Sequence, residues 1–307
     1  MNWNKVEFCP ELKLSGEVLN CDVMAPLLGK HVFKSSQYFV NVLYARYKQI
    51  QQNGPDTGYG EDWDLTVPKV NLCLEFVQDV SKPDVRLPVG IQHVSRDQRI
   101  IEMGQHPNFG HDMPLWFKGP KSNPRKRIMI VSIDPLRTGD SEGSIYLSTP
   151  FGLHCKDYRK FRNGESKLET AVVERLLEDG WTVYVTDYLK FFVERSGCVE
   201  HCFSDLFSRF DDMLKEELRL FDPTVVLAFG KSLGRWLCED VKIPSVKRQA
   251  YNVLGRMLDG VSRQCVFACH PSKITKYRSD IERELNMHNA GWKLYVEYYL
   301  QGVNREK

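Results

Sequence analysis

Three polar side chains stand where apolar runs break off: Asp134, Asp187 and His270. Asp134 follows Ile128-Met-Ile-Val-Ser-Ile133 and precedes Pro135. Asp187 closes Thr182-Val-Tyr-Val-Thr, and His270 closes Gln264-Cys-Val-Phe-Ala-Cys and opens His-Pro-Ser. Runs of this length, bounded by turn residues, read as buried strands. Alone, Asp134 reads first as the cap of the turn that Pro135 starts. The other two strand ends change that reading. In a parallel sheet the carboxyl ends of the strands share one edge, where open α/β sheets bind their ligands. Two carboxylates and an imidazole, far apart in sequence, converge there, and that convergence is the argument for a site.

The elements that must position them alternate. Strand Ile128–Ile133 is followed by a long loop and a helix over Leu168–Asp179, with Leu168, Val172, Leu176 and Leu177 on one face and Gly180 as its stop. The second strand ends at Asp187, and a helix near Phe203–Leu220 carries Leu206, Phe210, Met213 and Leu214. Thr224–Phe229 is the third strand, ending at Gly230, before a short helix with Leu233, Trp236 and Leu237. The fourth strand ends at His270, and a last helix fills Ile281–Tyr299. This order predicts a three-layer α/β/α domain with a central four-stranded parallel sheet over residues 118–307.

Residues 1–117 read as an N-terminal extension whose role the sequence does not state. Tyr38–Lys48 has helical spacing, Gln52–Gly60 is a loop by composition, and Val70–Val77 is a candidate short strand. His106, His111 and Asp112 share a Gly/Pro-rich loop, which reads as a loop rather than a metal site, since a structural site needs four ligands at recognisable spacing.

The chain has 307 residues, 42% of them hydrophobic, which is ample for a core, and a formal charge of +2, too small to announce a polyanion partner. A nucleic-acid footprint must then be local. Lys118-Gly-Pro-Lys-Ser-Asn-Pro-Arg125-Lys126-Arg127 holds five basic residues and no acid, either a solvated linker or a stretch along a phosphate backbone. The nine cysteines form no two-residue knuckle; Cys198/Cys202 and Cys265/Cys269 are each separated by three residues, so reduced thiols and an intracellular protein are expected. From the polar N-terminus no signal peptide is expected, and no run has the length of a membrane span. Gly230-Lys231-Ser232 imitates the end of a phosphate-binding loop, but that loop needs glycine at position 225, which is valine.

With Asp134 and His270 taken together, the chain resembles the uracil-DNA glycosylase superfamily over roughly residues 125–300. Ser132-Ile-Asp-Pro-Leu136 stands where the best-known branch has Gly-Gln-Asp-Pro-Tyr, and Ser148-Thr149-Pro150 is similar to its Ser-Val-Pro. His270-Pro-Ser-Lys-Ile-Thr275 with Tyr277-Arg278 resembles its His-Pro-Ser-Pro-Leu-Ser followed by Tyr-Arg. Phe221-Asp-Pro-Thr-Val-Val-Leu-Ala-Phe-Gly230 is similar to the superfamily's helix, proline, apolar strand and glycine.

The resemblance implies hydrolysis of a glycosidic bond in DNA, with the base flipped into a pocket. Asp134 would stabilise the oxocarbenium-like sugar and position water, and His270 would hydrogen-bond the departing base. Ile274 lies where the family carries an apolar wedge, although loop packing explains it equally. Ser272, Lys273, Lys276 and Arg278 would contact DNA, with Arg125 and Lys126 as further phosphate partners. No metal, nucleotide or other cofactor is required. An iron–sulfur cluster is not expected, because Phe191 stands where cluster-bearing branches have cysteine. No lysine sits at a strand end as a Schiff-base nucleophile, so a monofunctional enzyme is expected; a monomer is the expected state.

The departures bear on the base. Ile133 replaces a glutamine, and Leu136 replaces the tyrosine that crowds a pyrimidine's 5-position. Leu147 falls where a base-stacking phenylalanine would sit, with Tyr146 beside it. Asp187 replaces the asparagine that reads uracil. A carboxylate accepts from cytosine's exocyclic amine, and a protonated one also donates to the ring nitrogen, whereas an ionised one only repels uracil's carbonyl. These changes lead to the expectation of a 5-modified cytosine as substrate. Removing ordinary cytosine would damage the host, and some phages carry hydroxymethylated or glucosylated cytosine, so defence against phage is one coherent role. The extension would then line the pocket or read the bulky group. Repair of uracil or damaged pyrimidines is the alternative within the enzyme class; a catalytically idle DNA-binding relative is the alternative outside it.

Overall fold

In the computed structural model the described residues are 1–14, 17–32, 37–53, 64–65, 110–133, 145–161, 163–190, 204–237, 251–256, 259–288 and 290–304. The first part of the chain forms β1 (Glu7–Phe8), β2 (Leu12–Leu14), β3 (Glu17–Leu19), α1 (Cys21–His31), α2 (Gln37–Asn53), β4 (Asp64–Leu65), β5 (Gly110–Asp112) and β6 (Leu115–Lys118). There follow β7 (Arg127–Ser132), β8 (Ile145–Ser148), α3 (Lys156–Arg159), α4 (Leu168–Glu178), β9 (Thr182–Asp187), α5 (Ser204–Phe221), β10 (Val225–Phe229) and α6 (Lys231–Leu237). The chain closes with β11 (Tyr251–Arg256), β12 (Ser262–Ala268), α7 (Arg278–Leu285) and α8 (Trp292–Asn304).

The main sheet has the order β1-β6-β9-β7-β10-β12-β11. Its centre, β9-β7-β10-β12, is parallel throughout, and these are the four strands expected from the sequence. Both faces of such a sheet are covered by crossover helices, which is why β9 is buried at all six positions and β10 at all five. Antiparallel partners extend the sheet at both edges: β6 and then β1 beyond β9, and β11 beyond β12. Two of those partners come from the N-terminal residues.

The N-terminal elements also build core. On one face Tyr47 of α2 packs on Trp116, which stacks on Tyr184, which meets Phe221 of α5. On the other face Trp3, Phe8 and Phe117 form an edge-on cluster, and the Trp3 indole donates to Glu174 of α4 at 2.7 Å. Asn20 caps α1 by accepting from the Val23 amide. The helix expected over Tyr38–Lys48 is α2, and it runs two residues into the Gln52–Gly60 segment; the rest of that segment and the candidate strand Val70–Val77 lie outside the described residues.

Two expectations are corrected. The single last helix is two, α7 and α8, because Asn286 adopts φ 51°, ψ 40°, a left-handed cap that ends α7. The basic run before β7 is a structured turn. The Asn123 amide donates to the Gly180 carbonyl and the Lys126 ammonium to that of Asp179, while Arg127 is ion-paired with Asp222 at 2.7 Å. Gly180, the expected stop of α4, sits at φ +84°, where a Cβ would fall 2.9 Å from the Lys121 carbonyl oxygen. Position 225 begins β10, so the Gly230-Lys231-Ser232 run follows a strand with no phosphate-binding glycine loop before it.

Candidate active site

Strand pairing brings the polar ends into one row. Ser132 at the end of β7 is in register with Asp187 at the end of β9, and the pairing continues as Tyr188 and Leu189 donate to the carbonyls of Ser132 and Ile133 at 2.9 and 2.8 Å. On the other side of β7, Val131 is level with Ala228, Phe229 with Ala268, and the Gly230 amide donates to the Ala268 carbonyl at 2.8 Å. Asp187, Ile133, Gly230 and Cys269-His270 therefore occupy one edge. Asp134 follows Ile133 directly, but Asp134 and Leu136 lie outside the described residues.

An aromatic cluster floors this edge. Phe229 makes edge-on contacts with His270 (6.2 Å between ring centroids), Tyr299 (5.3 Å) and Phe151 (6.1 Å). The Tyr299 hydroxyl donates to the Cys269 carbonyl at 2.8 Å and so steadies the residue before His270. Phe151 has φ 58°, a conformation that costs a residue with a Cβ about 1–2 kcal/mol. Such strain persists where surrounding contacts over-determine it. Thr149, two residues earlier, is fully buried and its hydroxyl pairs with the His154 ring at 2.9 Å, while the Ser148 carbonyl accepts from Met113. Both ends of the turn are thereby fixed.

Asp187 is itself buried, 2% exposed. Its neighbours are pinned from behind. Tyr188 donates to Asp211 of α5 and accepts from Trp236 of α6; burial first, and the Asp211 bond second, push its phenol far above the ordinary range, so it stays a donor. Lys190, fully buried, is ion-paired with the equally buried Glu217 of α5 at 2.8 Å. The Lys190 carbonyl meets the His111 ring of β5 at 2.5 Å. His111 and Asp112 are thus strand residues rather than loop residues; His106 lies outside the described residues. Among the described residues no group of three or more His, Cys, Asp or Glu side chains is placed to hold a metal ion.

Against this geometry the family comparison is decisive: the model of the uracil DNA glycosylase superfamily matches residues 120–293, more than half of the chain. The chain belongs to that superfamily. Members of that superfamily are generally hydrolytic DNA glycosylases, so membership points to a DNA-glycosylase type of function. No curated protein matches the chain. No helix among the described residues is long and apolar enough to cross a membrane.

The sequence-derived residues divide in this superfamily frame. Asp187 and His270 stand on the shared edge, with the turn Pro271–Tyr277 holding Ser272, Lys273, Lys276 and, one residue on, Arg278. Lys276 is exposed, and Arg278 is committed to Glu282 at 2.8 Å. Ile274 is a correction: it has no exposed surface and packs in the core, so in this conformation it cannot enter a base stack. Leu147 is likewise a core side chain, 3% exposed, and not a stacking platform; for Tyr146 only the backbone, in β8, is described. Arg125 and Lys126 stand apart from Asp187 and His270. They precede β7 and so lie at the opposite edge of the sheet, a six-residue strand away, about 20 Å.

Phe151 is the residue sequence reasoning missed. The signal was present in Pro150-Phe151-Gly152, directly after the Ser-Thr that resembles the family motif, but its left-handed backbone and its contact with Phe229 are tertiary facts.

Proposed function

We propose that this protein is a monofunctional DNA glycosylase that hydrolyses the glycosidic bond of a flipped, 5-modified cytosine and leaves an abasic site. The observation that carries the reading is Asp187, a buried carboxylate at the end of β9, in register with Ser132 two residues before Asp134. A carboxyl group there accepts from cytosine's exocyclic amine, where an amide would serve uracil. Phe151, packed on the Phe229 ring that also meets His270, supplies an aromatic face for the extruded base. Asp134 acts on the sugar, stabilising positive charge and orienting water, and His270 hydrogen-bonds the oxygen of the departing base. Leu136, smaller than tyrosine, leaves room for the 5-substituent.

Lys190, three residues past Asp187, is enclosed with Glu217, which supports hydrolysis by water rather than a Schiff base on that amine. The modification suggests foreign DNA, hence a role in defence against phages whose cytosine is hydroxymethylated or glucosylated. The N-terminal residues support a part in the site, since β5 reaches the strand-end turn through His111.

The test replaces the base reader. Asp187→Asn is expected to lower release of modified cytosine from oligonucleotides by about 10- to 100-fold, the discrimination of one good bidentate contact, and to raise release of uracil. Loss of modified-cytosine release with no gain on uracil would count against Asp187 as the reader.

A further inference from the structure

The Lys190–Glu217 pair is a buried polar group, among the described residues, that the proposed chemistry does not use. Both side chains are fully buried. The Lys190 ammonium meets four oxygens: both carboxylate oxygens of Glu217 (2.9 and 2.8 Å), the Thr186 hydroxyl (2.6 Å) and the main-chain carbonyl of Asp187 (2.6 Å). Glu217 also accepts from the Thr186 hydroxyl at 2.8 Å and the Tyr184 hydroxyl at 3.1 Å. Tyr184 and Thr186 share one face of β9 because side chains alternate along a strand, and the same alternation sends Asp187 to the other face.

A buried ion pair is a weak device for stability. Removing two charges from water is costly, and well-packed apolar replacements often do as well or better. What this pair does specifically is hold a carbonyl. Asp187 ends β9 paired with Ser132; beyond the ladder its carbonyl is held by the Lys190 ammonium, and the following turn is held through Lys190's carbonyl on His111. We propose that Lys190 and Glu217 are positioning residues that set the backbone of Asp187, and with it the side chain that reads the base. This rests on the reading of Asp187 given above.

The experiment compares the wild-type chain with the double variant Lys190→Met/Glu217→Leu, which removes both charges together and so avoids stranding either one. Four quantities are read: the thermal midpoint, amide hydrogen exchange at Tyr188 and Leu189, single-turnover release of modified cytosine, and DNA affinity. The expected result is a midpoint at or above wild type, exchange at Tyr188 and Leu189 faster by about tenfold or more, and release slower by about tenfold, with DNA affinity within about threefold. A folded double variant with wild-type exchange and wild-type release would overturn the proposal. If the double variant does not fold, Thr186→Val, which removes one acceptor of the ammonium and one donor to Glu217, takes its place with the same readouts. If the wild-type protein released none of the bases, the glycosylase reading would fall, while the exchange measurement would still decide whether the pair positions the strand end.

Discussion

His270 and Asp187 owe their places to different neighbours. Asp187 is held by ladder bonds and by the buried ammonium of Lys190; His270 lies beyond the end of β12, against Phe229, with Tyr299 steadying the carbonyl before it. A donor aimed at an oxygen that gains charge only in the transition state affects rate more than binding. His270→Ala is therefore expected to slow base release about 10²- to 10³-fold, with DNA affinity within about threefold, measured under single-turnover conditions. Equal losses in rate and affinity would make His270 a binding residue instead. The sequence disclosed these polar residues because each follows an apolar run. It did not disclose the direction of apolar ones: Ile274 sits in a short helical turn and Leu147 in a four-residue strand, too short for periodicity to tell inward from outward, and both turned inward.

Among the elements, the parallel core was legible because both faces of its strands are covered, so each strand is a continuous apolar run. Short strands such as β1, β5 and β8 are two to four residues long and have no pattern of their own; β1 is added at the edge of β6, and β5 and β8 pair with each other in a small separate sheet. The basic run before β7 illustrates the same limit, since charge composition does not say which end of a strand faces the ligand. That turn closes on Gly180, and its glycine is the testable point. In Gly180→Ala, a left-handed φ and a Cβ 2.9 Å from the Lys121 carbonyl act together. A loss of at least about 1–2 kcal/mol is expected, read as a lowered thermal midpoint, with base release at low temperature unchanged because the turn lies at the far edge from the site. An unchanged midpoint would mean that the Lys121 turn gives way freely.

For the whole molecule, the near-neutral charge matters less than where the charges fall. A DNA duplex docked at the carboxyl edge would meet the exposed Lys276 of the Pro271–Tyr277 turn, whereas Arg125 and Lys126 face the opposite end of the sheet. Each phosphate contact contributes about 0.9 to the slope of log affinity against log salt. Lys276→Ala is expected to reduce that slope by about one, and Arg125→Ala/Lys126→Ala to leave it unchanged; the reverse pattern would place DNA on the other edge. The N-terminal residues belong in the same account, because they add β6 and β1 to the sheet and bring His111 to the turn that follows Asp187. Sequence composition could show that they fold, not that they fold into the sheet.

The central claim is that a carboxylate reads the base at the end of β9. Its most direct test is mass spectrometry of the bases freed from oligonucleotides carrying uracil, cytosine, hydroxymethylcytosine or glucosylated hydroxymethylcytosine. Release of a modified cytosine, with uracil and unmodified cytosine left in place, is the predicted result. Release of uracil alone would contradict it and return the protein to ordinary pyrimidine repair.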